Sequence, residues 1–116
     1  MDFEAAKELC RTFPGCTEDV KWGADIVFSV GAKMFAVTNK DGPSNGFSLK
    51  ADDERFLELT DRPGIIPAPS LARAKWVFVT PDAQLDDDEF AALLRRSYDL
   101  VFAKLTRKLQ REITGN

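Results

Sequence analysis

The order of apolar patterns along the chain predicts an α+β fold. It is a two-layer sandwich whose mostly antiparallel sheet carries an N-terminal helix, a short middle helix and a long C-terminal helix on one face. Three observations predict it. Residues 2–13 and 86–109 place apolar side chains every three to four positions, the spacing of helices buried along one stripe. Residues 26–38 and 46–50 alternate, or run apolar, in short stretches bounded by turn residues, as strands do. Gly31-Ala32 separates two of these stretches by two residues, a hairpin signature. At 116 residues, 44% of them apolar, the chain is expected to form one domain over residues 1–116 and to bury a core without cross-links.

The elements follow in order. Residues 2–13 form a helix that Asp2 caps, with Phe3, Ala6, Cys10 and Phe13 on one face and Pro14-Gly15 at its end. Glu18 to Trp22 is a short strand. Ile26–Val30 and Lys33–Thr38 follow, joined by Gly31-Ala32, which predicts a type II′ turn because its glycine stands first. That turn sets Val30 against Lys33, Phe28 against Phe35 and Ile26 against Val37 on the core side, leaving Val27, Ser29, Met34 and Ala36 on the other. Residues 39–45 read as a loop and Gly46–Lys50 as a strand, Phe47 and Leu49 inward, Ser48 and Lys50 outward. Asp52 or Asp53 opens a short helix with Phe56, Leu57 and Leu59. Arg62 to Pro69 holds three prolines and predicts an irregular loop whose Ile65 and Ile66 plug the core. Ala74–Thr80 is the last strand. Asp86 caps one long final helix, with Glu89 placed for a capping box and Leu85 for a staple to Phe90. The stripe of that helix runs Phe90, Leu94, Tyr98, Val101, Phe102, Leu105, Leu109.

Composition narrows the chemistry. The chain has no histidine, which removes the commonest general base and metal ligand and any Ser-His or Cys-His nucleophile. No enzymatic constellation is recognisable, and neither a metal nor any other cofactor is expected. Cys10 and Cys16 read as reduced, structural thiols. No apolar run is long enough to span a bilayer, and Met1-Asp2-Phe3-Glu4 lacks the basic start of a secretion signal, so a cytoplasmic protein without membrane contact is expected. A monomer is expected rather than an obligate oligomer.

The net charge of −3 does not advertise nucleic-acid binding. Charge is nonetheless uneven. Asp86 to Glu89 is a run of acids, whereas Arg95, Arg96, Lys104, Arg107, Lys108 and Arg111 face one acid, Asp99, between residues 95 and 111. A single helix with acids at its start and bases at its end explains both. Other cations lie at strand ends among aromatics. Lys21 adjoins Trp22, Lys33 stands at the hairpin mouth, Lys50 ends its strand outward, and Arg73 and Lys75 lead into the Trp76 strand. Such a sheet surface can hold a phosphate backbone. Residues alone favour the plainer reading of edge-strand solubilisers.

Several segments, in order along nearly the whole chain, resemble the MmcQ/YjbR family of small bacterial proteins. They are Pro14-Gly15 with Glu18 and Trp22-Gly23; Val30 to Ala36; Ser48-Leu49-Lys50; Pro63-Gly64-Ile65 with Ala68-Pro69; Lys75-Trp76-Val77; and Ser97 to Val101 with Lys104-Leu105. The resemblance implies a fold similar to CyaY (frataxin) and to a phage double-wing DNA-binding domain. It implies contact with double-stranded DNA and brings no catalytic residues. On the matching positions Lys33, Lys50 and Lys75 become the expected backbone contacts, with Arg73 beside Lys75 and Lys21 beside Trp22. The alternative is a protein–protein interaction module using the same face or the Pro63–Pro69 loop.

Overall fold

A computed structural model describes residues 2–39, 46–69 and 71–115; of the loop expected at 39–45, residues 40–45 lie outside them and Asn39 ends a strand. The elements are α1 (Phe3–Thr12), β1 (Thr17–Lys21), β2 (Asp25–Val30), β3 (Lys33–Asn39), β4 (Phe47–Lys50), α2 (Asp53–Thr60), β5 (Ile65–Pro67), a 3₁₀ turn (Ala72–Ala74), β6 (Trp76–Val79), α3 (Asp87–Phe102) and α4 (Arg107–Thr114). Six strands form one antiparallel sheet in the order β1-β2-β3-β4-β6-β5. The predicted α+β class stands, as do α1 with its Asp2 cap, α2, and the start of α3, where Asp86 accepts from the Glu89 amide at 2.8 Å.

The core lies between sheet and helices. Phe28, Phe35, Phe47 and Phe90 are fully buried, Phe28 stacks on Phe47 with centroids 6.5 Å apart, and Tyr98 meets Phe35 edge-on at 5.4 Å. The Tyr98 hydroxyl donates to the carbonyl of Pro14 at 2.5 Å, tying α3 to the end of α1.

Several details of the reading are corrected. Gly31 and Ala32 both have positive φ, 57° and 66°, so the turn is type I′, whose twist matches the flanking strands. The predicted register holds only for its first pair. After Val30–Lys33 and Ser29–Met34 a bulge inserts Phe35, so Phe28 faces Ala36, Val27 faces Val37 and Ile26 faces Thr38. Ala36 and Thr38 thereby turn into the core, and Val37 turns to the opposite face. The proline-rich loop contains a strand. β5 pairs only with β6, and an edge position demands one set of backbone hydrogen bonds, which Pro67 at its end can spare. Ile65 is buried as expected, whereas Ile66 is exposed. The long last helix is two helices. Thr106 caps α4, accepting from the Leu109 amide at 3.2 Å, and the Gln110 side-chain amide donates to the carbonyls of Phe102 and Leu105 at the break. Leu57, assigned to the helix's apolar set, is also exposed.

Glu89 turns away from the expected capping box. Arg62 binds it at 2.7 and 3.0 Å and also reaches Glu58 at 2.7 Å, while Arg55 bridges the same two acids. These arginines hold both carboxyls below their ordinary value of 4.5. A carboxylate with a depressed folded-state pKa stabilises the fold above its unfolded value, and that stabilisation is lost as pH falls through the folded value. Unfolding temperature is therefore expected to drop on acidification below about pH 4.5, and less steeply in Glu89→Gln. A thermal melt series across that range checks it.

Candidate functional site

Lysines of the predicted set converge at one end of the sheet. Gly31 sits so close on Leu105 that a Cβ there would lie 2.7 Å from its methyl groups, which holds the β2–β3 turn against the chain following α3. Between that turn, the ends of β4 and β6, and the last turns of α3 lies an open cleft of about 470 Å³ lined by Lys33, Met34, Lys50, Trp76, Leu100, Val101 and Lys104. Lys33 and Lys104 are exposed, and Lys50 is half-buried with its ammonium donating to the carbonyl of Ala74 at 2.7 Å. Trp76 is only 5% exposed, so it forms the floor and offers no free stacking face. An adjoining hollow of about 270 Å³ shares Lys50, Leu100 and Lys104 but is closed by Asp52, Asp53 and Glu54. An anion is thus favoured on the Lys33 side.

Ser97 underlies this geometry. Its hydroxyl donates to the carbonyl of Phe35 at 2.6 Å and accepts from the amide of Lys50 at 2.9 Å. Phe35 is the bulged residue with no sheet partner, and Ser97 stands where the ladder bond between β3 and β4 would otherwise continue. The backbone that carries Lys50 is fixed by that bridge.

Other expected residues lie elsewhere. Lys21 is at the opposite end of β2 from Lys33, about 17 Å along the strands. Lys75, at φ 64°, turns its ammonium over the Phe56 ring at 5.2 Å, toward the helices. Arg73 is exposed on the 3₁₀ turn. The sheet face turned away from the helices is itself not basic. Its central row runs Val27–Val37–Ser48–Phe78–Ile66 across five strands.

Lys104 was the missed member of the cleft, hidden by reading residues 95–111 as one dipole-balanced helix. The last turn of α3 carries no base, and the break puts Arg107 and Lys108 in the first turn of α4, where a cation opposes the helix dipole. Arg95 and Arg96 are engaged by Asp99 and Asp52. Among the described residues the ion pairs use Lys7, Arg11, Arg55, Arg62, Arg95 and Arg96, and they include none of Lys33, Lys50, Lys104, Arg107, Lys108 and Arg111. Arg107 and Arg111 line a further hollow of about 420 Å³ with Phe102, Gln110 and Thr114. Lys104 and Arg107 are three residues apart, so a band of unpaired cations runs from the hairpin mouth onto α4.

These features define a class first: a small α+β sandwich with its helices on one sheet face and Lys33, Lys50 and Lys104 gathered in a cleft at one end. The chain belongs to the YjbR family, whose model matches residues 11–100. The fold is shared with a crystal structure of the Deinococcus radiodurans protein DR2400, which carries the domain DUF419. That chain is 31% identical, with a TM-score of 0.86 over 97% of this chain and 87% of the other. A Pseudomonas syringae protein of known structure is 22% identical, with a TM-score of 0.73 over 87% of this chain and 99% of its own. No curated protein matches the chain significantly.

Proposed function

We propose that this YjbR-family chain is a non-enzymatic domain that binds double-stranded DNA through phosphate contacts. The single observation that carries the reading is the segregation of charge. Acidic side chains neutralise the arginines of α1, α2 and α3, while Lys33, Lys50 and Lys104 share one cleft with no acid in its lining. Arg107, Lys108 and Arg111 outnumber the single acid, Glu112, along α4. A net charge of −3 then repels a polyanion except at this end, which orients the encounter. The contacts reach phosphates rather than base edges, so affinity is modest and largely independent of sequence.

A salt titration tests this. Three to four neutralised phosphates give a slope of about −3 to −4 in log K against log salt. Duplexes of unrelated sequence should fall on one line. No binding at low salt overturns the proposal. A slope near zero removes its electrostatic basis.

The protein-interaction alternative rests on a different surface, the apolar row that ends in the exposed Ile66 beside Phe78. A partner captured through that row would be insensitive to Lys33 and Lys50.

A further inference from the structure

Strand β1 is the exposed edge of the sheet, and every one of its five residues is exposed. β2 takes one set of its backbone groups, which leaves the alternate set pointing outward, and no proline interrupts them. The opposite edge is protected differently. β5 is three residues long, ends in Pro67 and is flanked by Pro63 and Pro69. Of the four exposed large apolar side chains among the described residues, two lie on the β1 hairpin: Val20, 63% exposed, and Trp22, 70% exposed.

The charges along β1 are self-complementary in one register. Glu18 is held on the helix side by Arg11, at 2.7 and 3.0 Å. Asp19 and Lys21 stand together on the other face, in register with Val27 and Asp25 of β2. In a twofold antiparallel pairing that continues the sheet, opposed residues share a face, so the axis passes through a residue. Centring on Asp19 sets Asp19 against Asp19 and is repulsive. Centring on Val20 sets Val20 against Val20 and makes two Asp19–Lys21 pairs, one on each side of the axis. Trp22, just past the end of β1 with φ 52°, lies at the rim of this pairing.

We infer that a second copy of this chain docks on β1, extending the sheet from six strands to twelve with Val20 on the twofold axis. The interface is small, so the dimer is reversible, with a dissociation constant of about 10–100 µM. This inference is independent of the DNA reading.

Sedimentation equilibrium on the whole chain tests it, with circular dichroism to confirm that each variant is folded. The wild type should shift from monomer to dimer mass as concentration rises through that range. Val20→Lys places two ammonium groups on the axis and should remain monomeric at every concentration. Asp19→Lys alone and Lys21→Asp alone should each be monomeric, because each sets like charges opposite. Mixed together they should associate one to one, since both pairs between positions 19 and 21 are then opposite in sign, and the double variant D19K/K21D should dimerise by itself. A wild type that stays monomeric at several hundred micromolar overturns the inference. So does a dimer that survives Val20→Lys, or single-charge variants that fail to associate on mixing.

Discussion

Replacing Ser97 by alanine is expected to destabilise the fold by about 3 kcal/mol, because it leaves one buried and one part-buried backbone group without partners at once. Ser97 is fully buried. Its hydroxyl serves the Phe35 carbonyl and the Lys50 amide together, 62 and 47 residues away along the chain. Each unsatisfied buried group costs about 1–3 kcal/mol, and no described neighbour stands ready to replace the hydroxyl. The volume removed is one oxygen, so little of the loss is a packing effect. Denaturant unfolding should show a lower midpoint with an unchanged slope, since the surface exposed on unfolding is the same. Ser97→Thr keeps the hydroxyl and should recover part of the loss. An alanine variant within 0.5 kcal/mol of wild type, a margin of about the size typical for surface changes, would mean that β3 and β4 close directly on each other without the bridge.

The bridge also marks the limit of what the sequence discloses. The turn at Gly31-Ala32 could be read because two residues between apolar stretches leave few geometries. It gave the correct partners as far as Ser29–Met34. A bulge leaves no local signature of its own, so the register slipped there and Ala36 and Val37 exchanged faces. The one available signal was distant. Ser97 interrupts an apolar stripe between Leu94 and Val101, and a hydroxyl on a buried helical face needs an acceptor on whatever it packs against. The break between α3 and α4 was hidden for another reason. Phe102, Leu105 and Leu109 keep helical spacing straight across it, and only the capping preference of Thr106 distinguishes two helices from one.

That break governs how much of the site could be read. Lys33 was placed by the hairpin turn and Lys50 by strand alternation, and both survive a bulge at Phe35 because Lys33 precedes it and Lys50 is on another strand. Lys75 lies outside the cleft. Its positive φ just before β6 turns the chain, and the ammonium lies over the Phe56 ring. Lys104 was visible in composition but was absorbed into a dipole argument that held only while residues 86–109 formed a single helix. Cation pairing is a tertiary property. The arginines of α3 find acids at the N-cap of α2 and on their own helix, and the lysines at the sheet end find none among the described residues, which no linear pattern records.

Charge reversal at the cleft should therefore have the largest effect on binding. The triple variant Lys33→Glu, Lys50→Glu, Lys104→Glu is expected to weaken duplex DNA binding by about 100-fold or more at low salt and to flatten the salt slope by about 3. Three attractive contacts are replaced by three repulsive ones in a cleft whose floor, Trp76 with Met34, offers no competing hydrogen bond donor to phosphate beyond the indole. Lys50 also donates to Ala74, so a variant with Lys50→Gln in the same background separates loss of charge from loss of that contact. The comparison variant is Lys21→Glu with Arg73→Glu, which reverses two cations that the fold places outside the cleft. It should change affinity by only a few fold through the overall field. Fluorescence anisotropy with a labelled duplex at fixed low salt resolves the two. If the comparison variant loses as much as the triple variant, binding follows net charge alone and the cleft has no special part in it. If only the triple variant loses binding while its thermal unfolding is unchanged, the convergence of Lys33, Lys50 and Lys104 around the Ser97-fixed end of β4 is what the polyanion reads.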